Sequence, residues 1–191
     1  MKRTWIYNAI IVNEGLKFDG SVVVEGDTIS EVLQGETQPS VLCDIEIDAH
    51  GCYLIPGVID DHVHFRDPGL THKADMLSET TAAAAGGVTS FMDMPNCNPQ
   101  TTTLEALDNK FADAANKCIV NYSFYFGATN NNVDLLHELD KTHVCGVKLF
   151  MGASTGNMLV DRIESLRKIF AEAGMLIAAH CEDQTIIRWN T

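Results

Sequence analysis

Hydrophobic positions in the first 50 residues occur in short runs that alternate with polar positions. The run 5–12 is rich in β-branched and aromatic residues, and 28–32 alternates with a period of two. The run 21–25 is separated from 28–32 by the turn pair Gly26 and Asp27, and 41–49 is a further alternating run. The pattern predicts a small antiparallel sheet.

From residue 53 onwards, strand-like apolar runs alternate with helix-like segments. The runs that predict strands are 54–65, 88–94, 119–126, 144–151 and 175–179. The segments that predict helices are 75–85, 103–117, 133–141 and 161–173. In the second helix, we expect a buried stripe formed by Leu104, Leu107, Phe111 and Ala115. This alternation is typical of parallel βαβ units.

Chain length limits the architecture that these units can complete. A closed (β/α)8 barrel needs about 250 residues, and at roughly 30 residues per βα unit the segment 53–191 holds little more than half of one. We therefore predict an α/β fold with an incomplete, TIM-like (β/α)8 barrel over 53–191 and part of a small β domain over 1–52. We also expect the chain to be a fragment of a longer protein. A complete five-stranded, doubly wound domain is the alternative.

Charge and composition exclude several classes of protein. The formal net charge is −13, with 26 acidic residues against 13 Lys and Arg, which argues against nucleic-acid binding. No apolar window is long enough to span a membrane, and no secretory signal is apparent. The six cysteines contain no CxxC pair. They predict reduced, mostly buried thiols in a cytoplasmic protein, with a disulfide framework as the less favoured interpretation.

The strongest chemical signal is the pair His62 and His64 at the end of a predicted strand. Side chains two residues apart on a strand point to the same face. In a barrel, active sites lie at the carboxyl ends of the strands, and neutral imidazoles bind Zn²⁺ and similar ions well. The pair alone is weak, because two hydrogen-bonded structural histidines would give the same pattern.

Two later residues strengthen the metal hypothesis. His180 ends the fifth predicted strand of the parallel series, and Lys148 lies in an otherwise apolar strand end. Burial lowers the pKa of a lysine, and the neutral amine can react with CO₂ to form a carbamate whose oxygens bind metals. The simpler interpretation, which the residues alone favour, is an unmodified Lys148 paired with a carboxylate.

Three segments together resemble dihydroorotase of the amidohydrolase superfamily. They are 56–69, which contains His62 and His64, followed by 85–89 and 92–96. The resemblance covers nearly the whole chain. It implies a metal-dependent barrel flanked by a small β-sandwich that is built from both chain ends.

The resemblance also implies roles for individual residues. His62 and His64 would bind one divalent ion, His180 would bind a second, and Lys148, as a carboxylated lysine, would bridge the two ions, with zinc as the expected metal. Some dihydroorotases use an aspartate as the bridge. In this respect Lys148 is more similar to the hydantoinase and allantoinase pattern.

Arg66 and Asn96 are the candidates for substrate binding. Dihydroorotate carries a carboxylate that hydantoins and allantoin lack, and a guanidinium binds a carboxylate through two parallel hydrogen bonds. The resemblance implies that Arg66 and Asn96 hold this carboxylate. The structural alternatives are a salt bridge from Arg66 to Asp67 or Asp61, and a simple turn role for Asn96.

The activity implied is the reversible, metal-dependent hydrolysis of dihydroorotate to N-carbamoyl-L-aspartate in pyrimidine biosynthesis. The partners implied are this small molecule and further copies of the chain in a homo-oligomer, with no nucleic acid and no membrane. The resemblance places a further histidine ligand and the aspartate that is the general acid and base beyond residue 191, so we expect this chain alone to be inactive. The alternatives are an allantoinase, a dihydropyrimidinase or hydantoinase, and a non-catalytic scaffold.

Two further features are weaker candidates. Asp93, in the second predicted strand of the parallel series, is a candidate for orienting a metal-binding histidine. The segment 152–157 follows the Lys148 strand and resembles the corresponding family segment. We expect this segment to shape the rim of the pocket.

Overall fold

The chain divides into two units, Met1–Gly57 and Val58–Thr191, in the computed structural model, which describes residues 1–152 and 156–190. The division falls after the expected boundary at residue 52, because Tyr53–Leu54 pairs with the first strand of the chain. Residues 153–155, within the segment expected to form the pocket rim, lie outside the described residues.

The first unit is one five-stranded sheet. Its strands are β1 (Arg3–Asn13), β2 (Leu16–Glu25), β3 (Thr28–Gln34), β4 (Ile45–Asp48) and β5 (Tyr53–Leu54). The strand order is β3-β2-β1-β4, and the short β5 also pairs with β1. The turn between β1 and β2 uses Glu14 and Gly15, both with positive φ, as a tight hairpin requires. A small core of Ala9, Ile11 and Val22 stabilises the sheet.

The prediction of an antiparallel sheet is wrong for two of these strands. β1, β2 and β3 are antiparallel, but β4 and β5 both run parallel to β1. The segment between β3 and β4 is long enough to cross to the far side of β1, so strand direction is not limited by a hairpin turn. The strand predicted over 41–49 is also shorter, since only Ile45–Asp48 pairs with β1.

The second unit is a five-stranded parallel sheet with helices between its strands. Its elements are β6 (Val58–Val63), α1 (Met76–Ala85), β7 (Val88–Asp93), α2 (Leu104–Lys117), β8 (Asn121–Gly127), β9 (Gly146–Phe150), α3 (Ile163–Glu172), β10 (Ile177–His180) and α4 (Gln184–Trp189). The spatial order β6-β7-β8-β9-β10 follows the sequence. A doubly wound sheet would reverse its order at a switch point. The predicted incomplete (β/α)8 barrel is therefore confirmed.

Local sequence explains where the helices begin and end. Asp75 and Ser78 form a capping box at the start of α1, and Gly87 follows its end with a φ of 86°. The helix predicted over 133–141 is instead a 3₁₀ helix, Val133–Glu138. It stops there because Asp140 binds the backbone and hydroxyl of Thr142 in a turn of its own.

The predicted buried stripe of helix α2 is correct except at Ala115. Leu107 is buried and Leu104 and Phe111 pack against the core, whereas Ala115 is exposed. The buried face also includes Ala114 and Lys110, which the stripe did not contain. Lys110 therefore lies in the core of the unit, beside Phe124.

The thiols are reduced as predicted, but most of them are not buried. All six cysteines are free. Cys97 is buried, whereas Cys52 and Cys181 are exposed and the other three are half-buried. Cys52 and Cys181 lie outside the strands, next to strand ends, where the packing is open. Within the described residues, no helix has the length and apolar character needed to cross a membrane.

Candidate metal and substrate site

All six predicted site residues belong to the second unit and lie in or just after its parallel strands. His62 is in β6 and His64 directly follows it. Asn96 follows β7, Lys148 is in β9 and His180 ends β10. Because the strands are parallel, their carboxyl ends lie along the same edge of the sheet.

The structure brings His62 and His64 together. Their ring centroids are 5.3 Å apart and their planes are inclined by 53°. Both side chains are exposed at the edge strand. The two rings therefore lie side by side, as the alternation of side chains along a strand predicts.

A hydrogen bond to Asn96 fixes the ring of His64. Nδ1 of His64 lies 2.7 Å from Oδ1 of Asn96. An amide oxygen accepts, so Nδ1 carries the proton and Nε2 keeps its lone pair. Partial shielding of the ring from water lowers the pKa of His64 below its ordinary value; the bond to Asn96 opposes this shift, and the positive charge of Arg66 adds to it. A neutral His64 with a free Nε2 is the form that binds a metal.

Arg66 lies beside His64 and Asn96. Its Nη1 donates to the backbone oxygen of Asn96 at 3.3 Å, and its backbone φ is +65°. A non-glycine residue at such a φ costs about 1–2 kcal/mol, and strain of this kind is concentrated at functional sites. Within the described residues, no carboxylate forms an ion pair with Arg66.

The alternative salt bridges for Arg66 are absent for a clear reason. Asp67 is buried and binds Lys117 at 3.0 Å and the backbone nitrogen of Met76 at 3.2 Å. The carboxylate of Asp67 thus joins the first residue of α1 to the last residue of α2 and is not available to Arg66. Asp61 contributes its backbone oxygen to Tyr125.

Lys148 is buried without a counter-ion among the described residues. It is 3% exposed, and its Nζ lies 5.0 Å from the ring centroid of Phe150. Burial lowers the pKa of Lys148, opposed only by the nearby thiol of Cys181. The predicted alternative, a lysine paired with a carboxylate, does not describe this environment. The amine is instead in the setting that favours its neutral form.

His180 lies on the strand next to Lys148. Its ring is 6.0 Å from that of Phe150, and its Nε2 is 3.6 Å from a carboxylate oxygen of Glu182. In the register of β9 and β10, His180 is opposite Phe150 and Ala178 is opposite Lys148. Phe150 therefore contacts both candidate ligands.

Among the described residues, the pair His62 and His64 makes no direct contact with Lys148 or His180. In residues 1–152 and 156–190, no hydrogen bond, ion pair or ring contact links the histidine pair to Lys148 or His180, and no three His, Cys, Asp or Glu side chains are grouped to hold an ion. The donor types nevertheless fit divalent zinc, since His64 presents a neutral nitrogen and carboxylation of the buried Lys148 amine would give an anionic oxygen ligand.

Sequence analysis missed the buried ion pair between Asp93 and Lys110. The Nζ of Lys110 lies 2.7 Å from Oδ2 of Asp93, and both side chains are at most 1% exposed. Asp93 thus binds a lysine and not a histidine ring, unlike the predicted role. The available signal was the position of Lys110, three residues after Leu107 and four before Ala114, on the buried helix face.

Two cavities differ in their relation to this site. One of about 1040 Å³ is lined by Phe111, Tyr122, Asp140 and His143, around the amino ends of β8 and β9. A smaller one of about 310 Å³ is lined by His64, Phe65 and Glu79. The larger cavity therefore lies at the amino ends of the strands, whereas the candidate ligands lie at their carboxyl ends.

The second unit and this site correspond to a known family. Residues 53–190 match the model described as the Amidohydrolase family, and the chain belongs to that family. The predicted resemblance is thereby confirmed, and the parallel sheet is an incomplete barrel of the amidohydrolase type. Similar proteins include enzymes with different named activities.

A dihydroorotase from Methanosphaera stadtmanae is 31% identical over 176 residues, which cover 89% of this chain and 38% of that protein. An allantoinase from Desulfitobacterium hafniense is 34% identical over 176 residues, covering 89% of this chain and 37% of the relative. The solved L-hydantoinase (dihydropyrimidinase) from Arthrobacter aurescens superposes with a TM-score of 0.89 at 28% identity, covering 99% of this chain and 43% of that one. The chain thus spans well under half the length of these relatives.

Proposed function

We propose that this chain supplies part of the active site of a metal-dependent cyclic amidase whose substrate is dihydroorotate. Family membership supports the hydrolase class. The observation that carries the choice of substrate is Arg66, a half-buried guanidinium beside Asn96 and His64 with no carboxylate partner among the described residues. A cation in this state is suited to bind the carboxylate of an incoming ligand.

Arg66 and Asn96 would hold the substrate carboxylate together. Nη1 of Arg66 contacts the Asn96 backbone, which leaves the other guanidinium nitrogens to donate to two carboxylate oxygens. Asn96 uses Oδ1 to accept from His64, so its Nδ2 hydrogens are the part that would face the ligand. Asn96 would then couple the substrate to the histidine that binds metal.

The proposed cofactors are two divalent ions, with zinc as the expected metal, held by His62, His64, His180 and a carboxylated Lys148. Such ions supply Lewis-acid polarisation of the amide carbonyl and lower the pKa of water. His64 contributes a nitrogen kept neutral by its surroundings. Lys148 contributes an amine whose lowered pKa favours reaction with CO₂, and carboxylation would convert it into an anionic oxygen ligand.

Allantoinase or hydantoinase activity is the second candidate. The allantoinase and L-hydantoinase similarities favour it, because their identity to this chain is comparable to that of the dihydroorotase. These ring substrates lack the carboxylate, so they would leave Arg66 without a partner. A non-catalytic scaffold is less well supported, since all four candidate metal ligands are present in the sequence.

A pair of ligands that differ only by the carboxylate tests the choice. We expect dihydroorotate to bind the zinc-supplemented chain at least about tenfold more tightly than 5,6-dihydrouracil, because a charge-assisted bidentate contact is worth about 1.5–3 kcal/mol. In calorimetric titrations, Arg66→Met should abolish this difference and leave dihydrouracil binding unchanged.

The matched control is Arg162→Met, an exposed arginine at the start of α3. It should retain the preference for dihydroorotate. Equal affinities for the two ligands in the unsubstituted chain would contradict the dihydroorotate proposal and favour the hydantoinase alternative.

The cellular setting is part of the same proposal. Six free thiols support a reducing compartment, and we propose the cytoplasm. We also propose a homo-oligomer, by analogy with the family.

A further inference from the structure

Lys110 is a buried lysine that contacts both segments carrying the candidate substrate residues. Its Nζ lies 2.7 Å from Oδ2 of Asp93, 3.2 Å from the backbone oxygen of Met94 and 3.8 Å from Sγ of Cys97. The ring of Phe124 lies 4.7 Å from the same nitrogen. The ammonium thus forms an ion pair with Asp93 and donates hydrogen bonds to Met94 and Cys97.

The first contact extends to the segment that carries His64 and Arg66. Oδ1 of Asp93 accepts the backbone N–H of Phe65 at 2.9 Å. Phe65 lies between those two residues, and its buried ring packs on Phe91 at 4.4 Å. One carboxylate therefore joins Lys110 to the backbone at the end of β6.

The other two contacts hold the segment that carries Asn96. Met94 precedes Asn96 by two residues and Cys97 directly follows it, so Lys110 binds the chain on both sides of that residue. Cys97 is itself fixed by contacts to the backbone oxygens of Pro95 and Pro99. The result is that one side chain, from a helix outside the site, restrains both partners of the His64–Asn96 hydrogen bond.

We propose that Lys110 is a positioning residue, which sets the tautomer of His64 and the placement of Arg66 by fixing segments 64–66 and 94–97 relative to each other. The inference rests on the proposed function of this site. An apolar side chain of the same length would fill the space next to Phe124. It would leave both segments without their shared anchor, because it has no hydrogen to donate.

A purely structural role for the Asp93–Lys110 pair makes a different prediction. In that case, loss of the lysine would lower stability without changing the state of His64 in the molecules that remain folded. The ring nitrogens of His64 distinguish the two roles, because their ¹⁵N chemical shifts report which nitrogen carries the proton. The measurement needs no metal and no activity.

The experiment uses the chain labelled with [¹⁵N]histidine, with the His64 signals assigned by their loss in His64→Gln. We expect the unsubstituted chain to carry the His64 proton on Nδ1. In Lys110→Met, we expect a mixture of the two tautomers and a rise of about tenfold in the dissociation constant for zinc, the usual effect of losing support behind a ligand. Leu107→Ala is the matched control, since it removes buried volume from the same face of α2 and keeps the contacts of Lys110 with Asp93, Met94 and Cys97. It should melt earlier but keep the His64 shifts of the unsubstituted chain.

A second variant covers the case in which Lys110→Met does not fold. Lys110→Met combined with Asp93→Asn removes both charges and keeps a carbonyl acceptor for the N–H of Phe65. We expect this variant to fold and still to show mixed His64 tautomers, because the anchors at Met94 and Cys97 are lost. His64 shifts identical to those of the unsubstituted chain in either folded variant would overturn the proposal. If the unsubstituted chain bound no zinc, the proposed function would fail, and the tautomer measurement would still decide the role of Lys110.

Discussion

Two lysines are buried in the parallel-sheet unit, and their surroundings are opposite. Lys110 lies 2.7 Å from the carboxylate of Asp93 and donates to a backbone oxygen. Lys148 is 3% exposed and has the ring of Phe150 and the thiol of Cys181 near its nitrogen, with no carboxylate in ion-pair range among the described residues. Both residues are costly to bury, but only the first is neutralised by a partner.

The two environments have different consequences for the charge of a buried lysine. A buried ion pair holds its two elements together because either charge alone would be strongly unfavourable. A buried amine without a counter-ion lowers its cost by losing its proton, and the neutral amine can then be modified or can bind an ion. The comparison therefore supports the proposed anchoring role of Lys110 and the proposed carboxylation of Lys148.

The largest expected effect is the loss of the anchoring lysine. Lys110→Met leaves the carboxylate of Asp93 buried without a cation, and we expect the free energy of unfolding to fall by about 3–5 kcal/mol. Chemical denaturation followed by circular dichroism measures this change. Asp113→Ala is the control, because its contact to Lys117 is exposed and should be worth no more than about 0.5 kcal/mol. Equal losses in the two variants would remove the basis of the comparison.

A much smaller effect is expected for the second lysine. Lys148→Met replaces a buried amine with an apolar group of similar shape, and no partner is left unpaired among the described residues. We expect the free energy of unfolding to rise, or to fall by no more than about 1.5 kcal/mol. The same denaturation experiment applies. A loss as large as that of Lys110→Met would mean that Lys148 has an anchoring role after all.

The smallest effect is a difference in pH dependence. Burial lowers the pKa of Lys148 in the folded chain below its ordinary value of 10.5. Between the lowered pKa and 10.5, the unfolded chain binds more protons than the folded chain, so this group makes the free energy of unfolding rise with pH. We expect the rise, measured in CO₂-free buffers, to be smaller in Lys148→Met. Identical slopes in the two proteins would show that the pKa of Lys148 is not lowered.

Much of the fold follows from local sequence patterns. The helix α1 spans Met76–Ala85, within the predicted range 75–85, and the five parallel strands occur in the predicted order. The adjacency of His62 and His64 follows from strand geometry alone. Each of these features depends on residues close together in the chain, which is the information that periodicity carries.

The features that sequence analysis missed depend on contacts between distant segments. The parallel direction of β4 depends on a long crossover and not on a turn. The burial of Lys110 on α2 depends on its ion pair with Asp93, which lies on a different element. The bond between His64 and Asn96 joins residues 32 positions apart. Side-chain pairs of this kind are not encoded in the period of a single segment.

The most direct test of the account is the position of zinc in crystals of the chain, located by anomalous diffraction. We expect an anomalous-difference peak for zinc about 2.0–2.1 Å from Nε2 of both His62 and His64, the usual zinc–nitrogen distance. We also expect His64→Gln to remove this peak. Zinc located only at other side chains, with the two imidazoles unchanged and free of metal, would contradict the account.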